Sequence, residues 1–105
     1  MKYNFRTVTA NTSATIDDHV IGVDTSTSGI GSNIRNVQLP TAASVRSGFL
    51  LVVKDIGGNV STADHAIRIN RGGTDTIDGN SSITINIPSG SISLFSNGVH
   101  TWHVY

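Results

Sequence analysis

The sequence predicts an all-β fold, a small β-sandwich or barrel of about eight short antiparallel strands. β-Branched residues dominate, with 12 Ile, 12 Thr and 10 Val against 4 Leu and one Met, and all seven acidic residues are Asp. Such side chains suit a pleated sheet, whereas the straight-chain residues that favour helices are scarce. Short alternating apolar segments, separated by clusters of Gly, Asn, Asp and Ser, complete the pattern.

The length of the chain predicts one domain over residues 1–105, with residues 1–10 as an N-terminal strand or docking arm. Hydrophobic residues make up only 37% of the 105 residues, so we expect a thin core. Because partner subunits often complete such a core, the composition favours a homo-oligomer.

Charge and composition exclude several classes of partner. The formal net charge is zero and charged residues are 13% of the chain, so no basic stripe is available for nucleic acid. No apolar run approaches the roughly 18 residues of a membrane span, and the N-terminus lacks the apolar core of a signal peptide. The absence of Cys excludes disulfides and thiolate metal sites.

Eight segments carry the periodicity or composition of strands, and most are bounded by turn residues or proline. They are residues 3–9, 19–24, 34–39, 49–54, 66–70, 82–87, 91–96 and 99–105. Residues 49–54 (FLLVVK) form the most apolar run and are predicted to be a central strand buried on both faces. A helical turn is expected only within residues 41–47, and Asn97-Gly98 predicts a hairpin. A β-solenoid is the main alternative fold, ranked lower because no fixed repeat length is found.

The sequence predicts no catalytic residues and no cofactor. The nucleophile-elbow pattern Gly-x-Ser-x-Gly is absent, and Ser89-Gly90-Ser91 is better explained as a turn. Asp75 to Asn80 lacks the ligand pattern of a calcium loop and is also interpreted as a turn.

No metal site is predicted within one chain. His100 and His103 fall on opposite faces of a strand, so one chain cannot chelate an ion with both. One His per chain at a threefold axis remains an alternative to a hydrogen-bonding His.

Two groups of residues are candidates for contact with other molecules. Trp102, His103 and Tyr105, close to the C-terminus, are a possible surface-binding group, although a tryptophan such as Trp102 more often closes a small core. Tyr3, Phe5 and Val8 are a possible docking arm, because a β-capable terminus can add to the sheet of a partner. The alternative is that this segment pairs within its own sheet. Phe5, Phe49 and Phe95 lie in apolar contexts that favour the core.

Several motifs in the same order resemble a module of tailed-bacteriophage virion proteins, found in tail fibres, tailspikes and head-fibre or decoration proteins. They lie at residues 17–25 (DDHVIGVDT), 37–40 (VQLP), 51–55 (LVVKD) with Gly58-Asn59, 67–69 (IRI), 75–79 (DTIDG) and 93–98 (SLFSNG), followed by Trp102. In this chain Val60 stands where the module usually has Ala, and Asn97 where it usually has an acidic residue.

The resemblance implies a non-enzymatic virion structural protein, made in the bacterial host cytoplasm and assembled as a homotrimer. Met1 precedes the module by only about ten residues, which leaves no room for a shaft and favours a capsid decoration (cement) or head-fibre protein docked on the major capsid protein. The alternative is a receptor-binding tip attached to a tail or fibre protein, which recognises a glycan or protein of the host surface.

Overall fold

A computed structural model describes residues 4–26, 34–60 and 65–105. Within these ranges the chain forms ten strands and one turn of 3-10 helix, Ala42–Ser44, which falls in the segment predicted for a helical turn. The strands are β1 (Phe5–Val8), β2 (Thr12–Ser13), β3 (Val20–Val23), β4 (Arg35–Gln38), β5 (Leu50–Asp55), β6 (Ile67–Asn70), β7 (Thr76–Ile77), β8 (Ser82–Ile85), β9 (Ser91–Ser96) and β10 (Thr101–Val104).

The strands form two mixed sheets. The six-stranded sheet has the order β1-β3-β5-β9-β10-β7, and the four-stranded sheet has the order β2-β4-β6-β8. From β1 to β6 the chain alternates between the sheets, and each strand pairs in parallel with the strand two places earlier or later. Among the described strands, the antiparallel pairs are β5–β9, β9–β10 and β6–β8. The all-β prediction is therefore confirmed, whereas the expectation of antiparallel sheets is wrong for the pairs within β1 to β6 and for the parallel pair of β7 and β10.

The parallel half winds in coils of unequal length. Phe5 lies opposite Val20, only 15 residues further along, whereas Val20 lies opposite Val52, 32 residues further along. Because the connections differ so much in length, the coils leave no fixed repeat in the sequence. The β-solenoid alternative therefore describes the winding of β1 to β6 better than the antiparallel prediction did.

The buried side chains of the two sheets form one hydrophobic cluster. Its largest fully buried members are Trp102, Ile21, Leu39, Leu51, Ile67, Ile69, Ile77 and Leu94. Burial of each aliphatic side chain contributes about 1.5–3 kcal/mol relative to exposure. The sheets thus hold each other together through their inner faces.

Strand β5 is central in the six-stranded sheet, as predicted, but it is not buried on both faces. Its inward residues Leu51 and Val53 are fully buried, whereas Val52 is only partly buried and Leu50 is exposed. The second apolar face of this strand therefore points away from the core.

Two predicted turns have the expected chemistry. Asp78 and Gly79 both have positive φ, 48° and 85°, and Ile77 and Asn80 exchange backbone hydrogen bonds of 2.8 and 2.9 Å across them. This is the two-residue hairpin turn that Asp-Gly favours. Asn97 joins β9 to β10, and its Oδ1 accepts three backbone N–H groups, those of residues 99–101.

Candidate interaction surface

The two outward faces of the molecule differ sharply in polarity. The outer positions of the four-stranded sheet are polar: Ser13, Asn36, Gln38, Arg68, Asn70, Ser82 and Thr84. Asparagines bridge three neighbouring chain segments there, since Asn70 Nδ2 donates to Asn36 Oδ1 at 3.1 Å and Asn36 N donates to Asn11 Oδ1 at 2.8 Å. The outer face of the four-stranded sheet is therefore polar and suited to solvent.

The outer face of the six-stranded sheet is largely apolar, and we call it the sheet face. Its central row crosses four strands and the residue after β10, and consists of Phe5, Val20, Val52, Ser93 and Tyr105. Phe5 and Tyr105 stand at the two ends with 60% and 62% of their surface exposed. The row therefore has an aromatic residue at each end and small residues between them.

The Phe5 ring lies on the sheet. A Cβ atom built on Gly22 would come within 2.9 Å of Phe5 Cε1 and 3.0 Å of Ile56 Cδ1. Both side chains therefore rest directly on the Gly22 backbone. They remain 60% and 41% exposed, because nothing in the described chain covers them.

A second row lies beside the first at the β10 end of the sheet face. Leu50 is opposite Phe95, and Phe95 is opposite His103. The Phe95 ring centroid lies 5.1 Å from that of His103 and 5.7 Å from that of Tyr105. These three rings form an aromatic cluster in which Phe95 is partly buried and Tyr105 is exposed.

The charges of the sheet face are few and lie near its margins. Among the outward strand residues that the structure describes, only Lys54 has a fixed charge, and its Nζ donates to the Ser89 carbonyl at 2.5 Å. Beyond the aromatic cluster, Asp78 Oδ1 lies 3.1 Å from His103 Nδ1, and Asp78 Oδ2 accepts the Val104 N–H at 3.2 Å. The centre of the face therefore carries no charge.

The buried carboxylates serve the architecture. Asp55 is fully buried at the end of β5. It accepts the Thr25 hydroxyl at 2.5 Å and the backbone N–H groups of residues 57, 58, 60 and 89 at 3.0 to 3.4 Å. It thereby connects three loops at one end of the sheets.

These hydrogen bonds set the pKa of Asp55. Burial is the largest single influence and raises the pKa, but the combined bonds from Thr25 and from the backbone N–H groups of Ser89, Gly58 and Val60 outweigh it. The pKa of Asp55 therefore lies below its ordinary value, and the carboxylate stays ionised in the folded protein.

Asp18 and Asp75 have similar structural roles. Asp18 accepts Arg6 Nε at 3.0 Å and Arg6 Nη2 at 2.9 Å, and also the Thr15 N–H at 2.8 Å. Asp75 Oδ2 accepts the Ala42 N–H at 2.7 Å. Aspartates of three motifs, DDHVIGVDT, LVVKD and DTIDG, thus hold turns and loops in place.

The predicted docking arm is part of the sheet where the structure describes it. Phe5 and Val8 belong to β1, which pairs in parallel with β3, and Tyr3 lies outside the described residues. Phe5 points to the sheet face, whereas Val8 packs against the core. The structure therefore has this segment pairing within its own sheet, and whether it docks on a partner stays a prediction.

The predicted surface-binding group divides between the two sides of β10. His103 and Tyr105 lie on the sheet face. The prediction that Trp102 contributes to this surface is wrong, because Trp102 alternates with them and is fully buried. Its ring packs edge to face against Phe49 at 6.2 Å, and its Nε1 donates to the Pro40 carbonyl at 3.1 Å.

Sequence reasoning missed the contribution of Leu50, Val52 and Phe95 to the surface. The expectation that Phe5 and Phe95 belong to the core is wrong, whereas Phe49 is buried as expected. The unbroken apolar run over residues 49–53 could have revealed this surface. A strand with one face in water usually alternates apolar and polar residues, and this segment does not. A doubly apolar strand indicates either burial on both sides or a contact surface.

Comparison with known proteins does not assign the chain to a family. No protein-family model matches it, and no curated protein sequence matches it. Within the described ranges, no three His or Asp side chains are grouped so that they could hold a metal ion. No helix in this part of the chain has the length and hydropathy needed to cross a membrane.

Proposed function

We propose that this chain is a non-enzymatic structural module of a bacteriophage virion, which assembles with neighbouring subunits through the sheet face. The observation that carries the proposal is the contrast between the two outward faces. The four-stranded sheet presents asparagines, serine and threonine to water, whereas the six-stranded sheet presents Phe5, Leu50, Val52, Phe95 and Tyr105. Contiguous exposed apolar surface of this kind marks contact sites between proteins.

The roles of the buried carboxylates support a structural function. Asp18 accepts a hydrogen bond from the Arg6 side chain, Asp55 accepts one from the Thr25 hydroxyl, and Asp75 accepts one from the Ala42 N–H. A carboxylate bonded in this way holds loops in place, and few of its acceptor positions remain for hydrogen bonds to a substrate.

The phage-module resemblance, which includes head-fibre and decoration proteins, supports a place on the capsid. We propose a decoration or head-fibre protein, docked as a homotrimer on the major capsid protein. Each trimer would cover part of the shell and stabilise it against heat and osmotic shock.

Analysis of purified particles tests this proposal. A decoration protein is expected in hundreds of copies, comparable with the major capsid protein, and its release is expected to make the shell sensitive to heat or osmotic shock. Particles that lack the chain would contradict the virion assignment. Unchanged shell stability together with lost adsorption to the host would contradict the decoration role.

A receptor-binding fibre tip is the second candidate, and the aromatic cluster favours it. The exposed Tyr105 ring and the partly buried Phe95 ring lie beside the polar groups of His103 and Asp78, a combination suited to a sugar ring. A tip would be present in only a few trimers per particle. Loss of adsorption on changing Tyr105→Ala, with unchanged copy number, would favour this role.

A further inference from the structure

We infer that Asn97 is the main site of spontaneous deamidation in this chain, and that the folded turn between β9 and β10 suppresses the reaction until the turn opens. Asn97-Gly98 is the only Asn-Gly pair in the sequence. Because glycine has no side chain, its backbone nitrogen is unobstructed and reaches the side chain of the preceding asparagine with little strain. This modification site is independent of the proposed structural role.

The reaction needs only water as a co-reactant. The Gly98 nitrogen loses its proton to solvent and attacks Cγ of Asn97, and the Cγ–Nδ2 bond breaks as ammonia leaves. Water then opens the resulting succinimide ring at one of its carbonyl carbons. Opening at Cγ gives aspartate at this position, whereas opening at the main-chain carbon gives isoaspartate, whose backbone runs through Cγ.

The turn fixes the side chain of Asn97 in a different arrangement. The backbone N–H groups of residues 99, 100 and 101 donate to Asn97 Oδ1 at 2.9, 3.0 and 3.1 Å. The N–H of Asn97 donates to the Thr101 carbonyl at 2.9 Å. Closure of the ring moves Cγ onto the Gly98 nitrogen, so that Oδ1, which is bonded to Cγ, leaves its donors. The reaction therefore costs the turn several hydrogen bonds.

The attacking nitrogen is itself hydrogen-bonded. Gly98 N donates to Ser96 Oγ at 2.9 Å, and Ser96 Oγ donates to the Ala42 carbonyl at 3.1 Å. Ser96 is fully buried, and its neutral hydroxyl accepts the N–H without removing the proton. The proton that solvent must take from Gly98 therefore points into a buried hydroxyl group.

The same turn explains why glycine follows Asn97. Gly98 has a φ of 78°, and a Cβ atom there would lie 2.9 Å from Ser47 N. A larger residue would slow deamidation by obstructing the nitrogen, but it would be strained at this position. The fold thus requires the reactive Asn-Gly pair and limits its reactivity through hydrogen bonds.

The two products differ in how well they fit the turn. Within the described ranges only the side-chain oxygen of Asn97 makes hydrogen bonds, so aspartate keeps all three N–H donors. Isoaspartate adds a methylene carbon to the main chain and displaces these donors. We expect the isoaspartate product to be less stable, because β10 with its buried Trp102 follows directly.

Incubation of the full chain in mildly alkaline buffer, with and without concentrated urea, tests the inference. Peptide mass spectrometry measures the conversion of Asn97, and Asn86, which the branched Ile87 follows, is the internal control. In urea, Asn97 should convert far faster than Asn86. Native protein should convert Asn97 about a hundredfold more slowly than unfolded protein, since opening of the turn breaks the five hydrogen bonds described above.

Two variants separate local opening of the turn from global unfolding. Ser96→Ala removes the acceptor of the Gly98 N–H and should raise the native conversion rate about tenfold, with an unchanged rate in urea. Asp55→Asn is the control, because it weakens the opposite ends of β5 and β9 and leaves the turn intact. Its native rate should stay near that of the wild type.

Three results would overturn the inference. The first is a native rate equal to or above the rate in urea, which would mean that the three N–H groups activate Cγ instead of protecting it. The second is an unchanged rate in folded Ser96→Ala, and the third is an equal acceleration in Asp55→Asn. If Ser96→Ala does not fold, the comparison of native and unfolded wild-type protein decides.

Discussion

Asp55 shows how one side chain organises this small domain. Its carboxylate gathers one hydroxyl and four backbone N–H groups from three separate chain segments. Since Thr25 and Val60 are also buried, their donor groups would otherwise lack a hydrogen-bond partner. A single carboxylate thus replaces hydrogen bonds that the irregular loops cannot make among themselves.

The variant Asp55→Asn is expected to lower the free energy of unfolding by about 2–4 kcal/mol, because a neutral amide offers one acceptor oxygen and presents a donor to the backbone N–H groups. Urea unfolding at neutral pH, followed by the fluorescence of the single tryptophan, measures the loss. The control Asp17→Asn removes an exposed carboxylate and should change the stability by less than about 0.5 kcal/mol. Equal losses in the two variants would contradict the structural role of Asp55.

The pH dependence follows from the lowered pKa of Asp55. A carboxylate whose folded pKa lies below its ordinary value of 3.8 adds stability that is fully present above 3.8 and is lost as the pH falls through the folded pKa. The stability difference between the wild type and Asp55→Asn should therefore be constant above about pH 5 and shrink in more acidic solution. Urea titrations at a series of pH values and one protein concentration measure this difference. A gap that stays constant down to pH 2 would contradict the assignment.

At the scale of the elements, tight backbone packing connects the loops next to Asp55. A Cβ atom on Gly57 would lie 2.3 Å from the Thr25 N atom and 2.4 Å from the Ser26 N atom. Thr25 is held in place by the hydrogen bond from its hydroxyl to Asp55, and the Ser26 N–H is held by its hydrogen bond to Asp24 Oδ1. Gly57 is therefore required for close approach of two loops.

The variant Gly57→Ala is expected to destabilise the protein by more than about 3 kcal/mol, or to prevent folding, because of this backbone clash. Gly48→Ala is the matched control: its Cβ would have no neighbour within 4 Å, so the positive φ of 83° is the only strain, worth about 1–2 kcal/mol. Thermal unfolding of the two variants, compared with the wild type, measures the difference. A control that is as damaged as Gly57→Ala would show that close approach is not the cause.

Trp102 packs strand β10 against the hydrophobic core. The variant Trp102→Phe removes the hydrogen bond to the Pro40 carbonyl and leaves a space beside Phe49. We expect a loss of about 1–3 kcal/mol in the free energy of unfolding, measured by circular dichroism in urea because the variant has no tryptophan. The exposed aromatic change Tyr105→Phe is the control, and an equal loss there would contradict the burial of Trp102.

Local sequence signals predicted the strands better than their pairing. The segment 91–96 matches β9, and β5 shifts by only one residue, because alternation and turn residues act over short distances. The parallel pairing of β1, β3 and β5 was not predictable from a repeat, since the coils differ in length. Strand β2 was missed because its two residues, Thr12 and Ser13, are polar and follow a turn-like Asn.

The sheet face was only partly predictable for a related reason. The two-residue spacing of His103 and Tyr105 predicts that they share one face of a strand, and the structure places both on the sheet face. Phe5 and Phe95 could not be separated from core residues, because hydrophobicity is the same on a buried face and on a contact face. Only the pairing of the strands shows which apolar face lacks a second layer.

At the scale of the whole molecule, the protein has two sheets, and the outer face of one is polar whereas the outer face of the other is largely apolar. The thin core expected from 37% hydrophobic residues fits this view, since several large apolar side chains lie outside the core. At about 25 cal/mol per Å², burial of these side chains between copies would add substantially to the stability of each subunit. The stability of the protein should therefore rise with its concentration.

Self-association through the sheet face is best tested by the mass in solution of a variant with a charge at the centre of that face. Sedimentation equilibrium should give an oligomer, a trimer in the decoration model, for the wild type and for the control Thr84→Lys on the polar face. Val52→Lys should sediment as a folded monomer, because an unpaired charge in a buried interface costs several kcal/mol. A wild-type protein that is monomeric at high concentration, or a Val52→Lys variant that keeps the wild-type mass, would contradict the account.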